Sequence, residues 1–374
     1  MMAQGSFRQW APIKTYGERD VSLSEEQAPA TPPRPQPKLD WMEDCHQWGV
    51  KVEPGPHGLT MRSINTGIYG EIPEVWDEMT RMPRGAYPVE GVPRIDLYAL
   101  NAKVELWADN APDLYEEAVQ RRWDPKVDID WGSVPARPRA VELAMSQFCT
   151  ELAQQAAIEV EVLGQWLHRM CYGYHEVKNF LATQAFDAAR HTEAFRQRAM
   201  HGGGVLGLES AGALNRRLLE IRGGWTEAAL GLYLIRGPLT LLLYRYGEAY
   251  AGNAADQKLF RLALQDKARH MAYGMTHLKY AIDHKGSGYA LGLKRGLIAV
   301  EHEILKELQD PVLWEALAIL CGGGLDHIEA GMAVANRVKQ AYLEQCLQRL
   351  QAVGIDKQAS ELLPKLQVYV PSSA

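Results

Sequence analysis

The sequence predicts an all-α protein, a helical bundle preceded by a largely irregular arm. Three observations predict it. Strand-like alternation is nearly absent. From about residue 111 onward, apolar residues recur at helical spacing through long stretches with little proline. Inside two of those stretches the pattern Asp-x-Ala-Arg-His repeats, at Asp187–His191 and Asp266–His270. Residues i and i+4 share a helix face, so Asp187 sits over His191 and Asp266 over His270. Two such faces meeting in a bundle core is how carboxylate–imidazole metal sites are built.

The elements follow in order. Ser22–Lys38 is proline-rich and poor in large apolar residues, as expected of an extended arm. Leu39–Asn110 has scattered glycine, proline and tryptophan without a sustained period; Leu59–Ile64 is expected as a short strand. A short helix is expected from Asp113, as N-cap, until Pro125 stops it. Arg139 to about Arg169 carries Leu143, Phe148, Leu152, Ile158, Val162 and Trp166 at helical spacing. Tyr174–Met200 is the first motif helix, ended by His201–Gly204, and a loop of about twenty residues follows. Trp225 opens the next helix, which contains Arg236, and Asn253–Ala254 breaks it. Ala255–Asp283 is the second motif helix, with Gly274 tolerated inside. Tyr289–Leu308 and a long region from Pro311 to about Leu350, broken near Cys321–Gly324, complete the bundle. The expected domains are an arm over 1–110, a helical domain over 111–352 and a tail over 353–374.

Composition excludes several classes. Over 374 residues, 47% hydrophobic content supports a large core, and a net charge of -6 gives no case for nucleic acid or an anionic membrane. The apolar run Ala228–Tyr244 is interrupted by Arg236, Gly237 and Pro238, so it reads as a kinked core helix rather than a membrane span. The opening residues lack an apolar leader segment, and no signal peptide is expected. Cys45, Cys149, Cys171, Cys321 and Cys346 have no C-x-x-C spacing and read as reduced thiols of a cytoplasmic protein. Neither glycine triplet, at 202–204 or 322–324, has a nucleotide-binding arrangement.

The repeated motif resembles the Asp-Glu-x-Arg-His motif of ferritin-like carboxylate di-iron oxygenases, a group that includes bacterial multicomponent monooxygenases, arylamine N-oxygenases and the ribonucleotide reductase small subunit. The resemblance spans about Asp113 to Asp283, and RRWDPKVDIDW (Arg121–Trp131), FLATQ (Phe180–Gln184) and RHMAYGM (Arg269–Met275) look like pieces of the same family. It implies a ferritin-like bundle. It also implies metal ligands from a Glu-x-x-His pair on two helices and one Glu on each of two others. Here the two motif Glu positions are Ala188 and Lys267. The window for the third-helix Glu, Ala228–Gly247, holds no acidic residue, and Arg236 is the polar residue nearest the expected place. The first-helix position falls among Gln154, Gln155 and Glu159.

Asp187 and Asp266 correspond to the carboxylates that orient metal-binding imidazoles across the bundle, so the outer frame is kept while the inner ligands are not. The expectation is a remnant site of His191, His270, Asp187, Asp266, Ala188, Lys267, Arg236 and Glu159. No metal or other cofactor is expected there, with iron as the alternative and His191, His270 and Glu159 as ligands if one ion binds. Lys267 and Arg236 pointing inward would stand in for metal charge and need Asp187, Asp266 or Glu159 as partners; otherwise both snorkel outward and the core is simply filled. One ribonucleotide reductase subclass replaces Glu ligands with Gln and Lys and uses a modified tyrosine four residues after the first motif His. That position is Phe195 here, so its radical chemistry does not carry over. The expected roles are a non-metallated subunit of an oxygenase complex, an oxidoreductase with a non-standard site, or a bundle binding an apolar small molecule. A homo-oligomer or a metal-binding paralogous subunit is the expected partner, the arm Phe7–Pro54 gaining order on another surface.

Overall fold

The computed structural model describes residues 98–201, 205–210 and 212–370, with 37, 39–44, 52–65, 71–76, 84, 86 and 91–93 before them. Contacts divide the chain into Met1–Gly49 and Val50–Ala374. The element described in the first unit is one helical turn, α1 (Trp41–Asp44). Most of the expected arm, Cys45 and Gly202–Gly204 lie outside the described residues.

The second unit is helical. It contains α2 (Ala111–Gln120), α3 (Arg139–Leu167), α4 (His175–Met200), α5 (Ala213–Glu220), α6 (Trp225–Ala229), α7 (Gly237–Ala249), α8 (Ala254–Lys285), α9 (Ser287–Gln309), α10 (Pro311–Gly322), α11 (Ile328–Ala352) and α12 (Pro364–Gln367). Among the described residues β structure is confined to isolated bridges. The long pair α3 and α4 folds back on itself through the turn at 168–174; α8 closes against α4 and α7, and α10 against α3 and α11. Their buried faces share one apolar core rich in aromatics, among them Phe148, Phe180, Phe195, Tyr233, Phe260 and Tyr273.

Between α6 and α7 the helix widens into a π-helical stretch, Leu230–Arg236, buried at every residue. Pro238 has no N–H to donate back along the helix, and a wider turn accommodates that loss. Gly274 is required rather than tolerated: a Cβ there would lie 2.1 Å from Cγ of Tyr233. Trp225–Ala249 is long and apolar enough to cross a membrane, yet 94% of its most apolar window is buried within the bundle.

Local expectations need three corrections. Residues 61–64 form turns instead of a strand. Asn110 occupies the N-cap position of α2, and Asp113 instead forms an ion pair with Arg62 at 2.7 Å. The stretch read as a loop contains α5, a two-turn helix too short for its buried Leu214 and Leu218 to register as a period. The break at Cys321–Gly324 is as expected: Gly323 adopts φ 71° and the chain bends by 95° toward α11.

Candidate functional site

The motif helices α4 and α8 bring their polar faces together in the core. His191 Nε2 lies 2.9 Å from Asp266 Oδ2, and His270 Nε2 lies 3.1 Å from Asp187 Oδ2. A carboxylate only accepts, so each imidazole donates from Nε2. The two rings face one another with centroids 6.4 Å apart. Each aspartate thus serves the histidine of the opposite helix, not its neighbour one turn along.

The motif arginines complete this frame. Arg190 Nη2 donates to Asp187 at 2.5 Å and to Asp266 at 2.8 Å. Arg269 Nη2 binds Asp187 at 3.1 Å and also contacts Asp266. Trp123 Nε1 donates to Asp266 at 2.8 Å, and its ring lies 4.7 Å from the Arg190 guanidinium carbon. Burial alone would raise the Asp266 carboxyl, but the bond to His191 and the nearby arginines hold it well below its ordinary value.

Inside the frame the expected ligand positions diverge. Ala188 is fully buried and offers no donor. Lys267 is 1% exposed and its Nζ donates to Glu159 Oε2 at 2.5 Å. The other oxygen of Glu159 accepts from Gln184 Nε2 at 2.6 Å and lies 3.2 Å from His270 Nδ1. Though that close, His270 Nδ1 has no aligned hydrogen-bond partner. Burial opposes ionisation of Glu159, yet Lys267 and His270 bring its pKa well below the carboxylate range. His270 is shifted upward: burial pulls it down, and the bond to Asp187 with the nearby charge of Glu159 outweighs that.

Of the three first-helix candidates, Glu159 is the one seen bonded to motif-helix residues. Gln155 instead accepts from Thr240 Oγ1 at 3.2 Å. Arg236 corrects an expectation: its guanidinium bonds Glu307 at 2.5 Å and Asn215 at 2.6 Å, and none of Asp187, Asp266 or Glu159. The π-helical turn presents Tyr233 to the site in its place, Tyr233 Oη donating to Gln184 Oε1 at 2.8 Å. Burial, then the charges of Tyr273 and Glu159, raise the Tyr233 phenol far above its ordinary value.

Sequence reasoning missed Gln184, Tyr233 and Trp123 as site members. Gln184 was legible in principle, three residues before Asp187 and hence on the same face. Tyr233 was not, because a π-helical turn breaks the register from which its direction would be read.

Counting charges, Asp187, Asp266 and Glu159 meet Arg190, Arg269 and Lys267, so the cluster sums to zero before the imidazoles are counted. The donor set does not fit a pair of metal ions. One glutamate faces the interior, an ammonium already binds it, and protonated lysine cannot ligate. Among the described residues, no three His, Cys, Asp or Glu side chains stand ready around a single ion. What the cluster does as it stands is orient and balance charge: it fixes imidazole orientation and holds Asp266 and Glu159 ionised in the core.

The chain matches no protein-family model and no curated protein. It is similar to several solved structures of R2-like ligand-binding oxidase. A variant with an aerobically reconstituted Mn/Fe cofactor is 18% identical over 65% of this chain and 93% of the other, with a TM-score of 0.44. A second variant, anaerobically reconstituted with Mn/Fe, has the same identity and coverage and a TM-score of 0.47. A form without metal cofactor is 18% identical over 65% of this chain and 96% of the other, with a TM-score of 0.43. Those proteins carry a Mn/Fe cofactor, which runs against the expectation that no cofactor belongs here. The fold is an all-α helical bundle, as expected, with an irregular N-terminal arm expected before it.

Proposed function

We propose that the chain is a partner subunit in an assembly of the di-iron oxygenase lineage, supplying bundle shape and an ion-paired core where a catalytic chain would supply a two-metal centre. One observation carries the reading: Lys267, at the position where the motif resemblance implies a glutamate, is bonded to buried Glu159. Ala188 at the other motif position supports it. The partner is a second copy of this chain or a metal-binding paralogue. The free thiols Cys149, Cys171 and Cys346, all buried, support a cytoplasmic setting as part of the proposal.

The test is co-expression with a paralogue that carries both motif glutamates. A stable complex whose oxygenase turnover falls at least tenfold without this chain is the expected result. Full turnover by the paralogue alone, with no complex in native mass spectrometry, defeats the reading. An oxidoreductase with one iron or manganese ion is the second reading, favoured by His270 Nδ1 standing buried 3.2 Å from Glu159 without an aligned hydrogen bond.

A further inference from the structure

We propose that Glu151, Gln155 and Glu159, one turn apart on the buried face of α3, form a proton path that joins the segment at Ser210 to the motif cluster, with ordered water bridging the side chains. The three residues are 2%, 5% and 6% exposed. The path goes beyond the subunit role proposed above and serves the chain whichever assembly it joins.

Three observations converge. First, residues i and i+4 on a helix stand about 5–6 Å apart at Cβ, a gap that one water molecule spans between polar side chains. Helix α7 repeats the spacing opposite. Thr240 Oγ1 donates to Gln155 Oε1 at 3.2 Å. Tyr244, one turn on, stands near enough to Glu159 that burial first, and then the charge of that carboxylate, raise its phenol far above its ordinary value. Second, four buried polar atoms around the outer half of the path lack a protein partner among the described residues: Glu151 Oε1, Gln155 Nε2, Arg236 Nε and Tyr342 Oη. Arg236 ties them together, because its carbonyl accepts from Thr240 at 3.3 Å and its charge acts on both Glu151 and Tyr342. Buried water settles where several such atoms converge. Third, the two ends differ. At the outer end Glu151 bonds half-buried Ser210 and meets Glu307, Asp310 and Arg236. Burial chiefly, then the charges of Glu307 and Asp310, push it up to about 7 against Ser210 and Arg236. At the inner end Glu159 stands 3.2 Å from His270 Nδ1.

The transfer balances. A proton leaves the Glu151 carboxyl for the bridging water, and each water passes one on as it receives one. The last delivers to His270 Nδ1 beside Glu159, whose carboxylate stays ionised and orients that water. Glu151 is left negative and His270 positive, and the reverse sequence returns both, so no oxidant or co-reactant is involved. Gln155 does not titrate; it is a positioning residue that holds water between the two carboxylates.

The test is solvent exchange of the His270 ring N–H, followed by NMR on the full-length chain carrying isotope-labelled histidine after transfer to heavy water. The His191 ring N–H serves as the internal control. Gln155→Leu and Thr240→Val should each slow exchange at His270 at least tenfold and leave His191 within twofold of wild type. Loosened packing would speed exchange, so slowing separates loss of the path from loss of stability. Should Gln155→Leu fail to fold by circular dichroism, Thr240→Val carries the comparison. In the wild type the rate should fall as pH rises through about 7, and Glu151→Gln should abolish that fall. Unchanged exchange at His270 in either folded variant, equal slowing at both histidines, or a fall with pH that survives in Glu151→Gln each overturn the proposal.

Discussion

Asp266 on one motif helix anchors His191 on the other at 2.9 Å. The same carboxylate takes bonds from Trp123, Arg190 and Arg269, so four donors converge on one side chain. Asp266→Asn keeps the shape but leaves two guanidinium groups short of one negative charge in the core. Loss of about 3–5 kcal/mol is expected, read as the shift in urea unfolding relative to wild type.

Lys267→Ala, measured in chelator, should cost about 3–5 kcal/mol, because Glu159 is left buried without its cation. Thermal unfolding at neutral pH measures it. An unchanged midpoint would mean that the ammonium contributes nothing to holding Glu159 in place.

Arg236 anchors a second buried polar group, with Glu307 and Asn215. Arg236→Met should destabilise by about 3 kcal/mol or more, and Arg236→Met/Glu307→Leu by clearly less, since removing both charges leaves neither unpaired. A double-mutant cycle gives the coupling. Additive losses would place the Arg236 contribution in packing.

Glu151 is a buried carboxyl whose pKa is pushed up to about 7, chiefly by burial and also by the charges of Glu307 and Asp310, with Ser210 and Arg236 opposing. Its folded pKa lies above the unfolded value, so the stability it contributes is full below about pH 4.5 and lost as pH rises through about 7. The loss amounts to about 2–3 kcal/mol. His277 acts in the opposite sense. Burial lowers it to about 4, so its contribution is present above about pH 6.5 and lost as pH falls through about 4. Glu151→Gln should remove the alkaline loss and leave the acid one, as unfolding midpoints from pH 4 to 8 would record.

Much of this was legible in the residues. The repeated Asp-x-Ala-Arg-His located both motif helices and put Asp and His on one face of each, while the cross-bundle pairing was what the resemblance implied. The substitutions at Ala188 and Lys267 located the departure from a two-metal donor set. The direction of Arg236 was not legible. Helical register predicts orientation only where the helix stays regular, and the π-helical turn rotates everything after Leu230 away from the expected face. Nor was α5, whose two turns carry too few apolar residues to show a period. Trp123 belonged to a quoted segment, but its indole N–H reaches Asp266 across 143 positions of chain, a distance no local pattern encodes.

The ion cluster also bears on how the chain reaches this state. Its contacts between α4 and α8 join residues 75 to 83 positions apart, so they form only after these two helices have docked and shed water. Pairing that comes this late stabilises the folded state more than the barrier leading to it. The two motif helices are therefore expected to find each other through their apolar faces first. The charged residues act afterwards as a latch, slowing the route back out rather than speeding the way in.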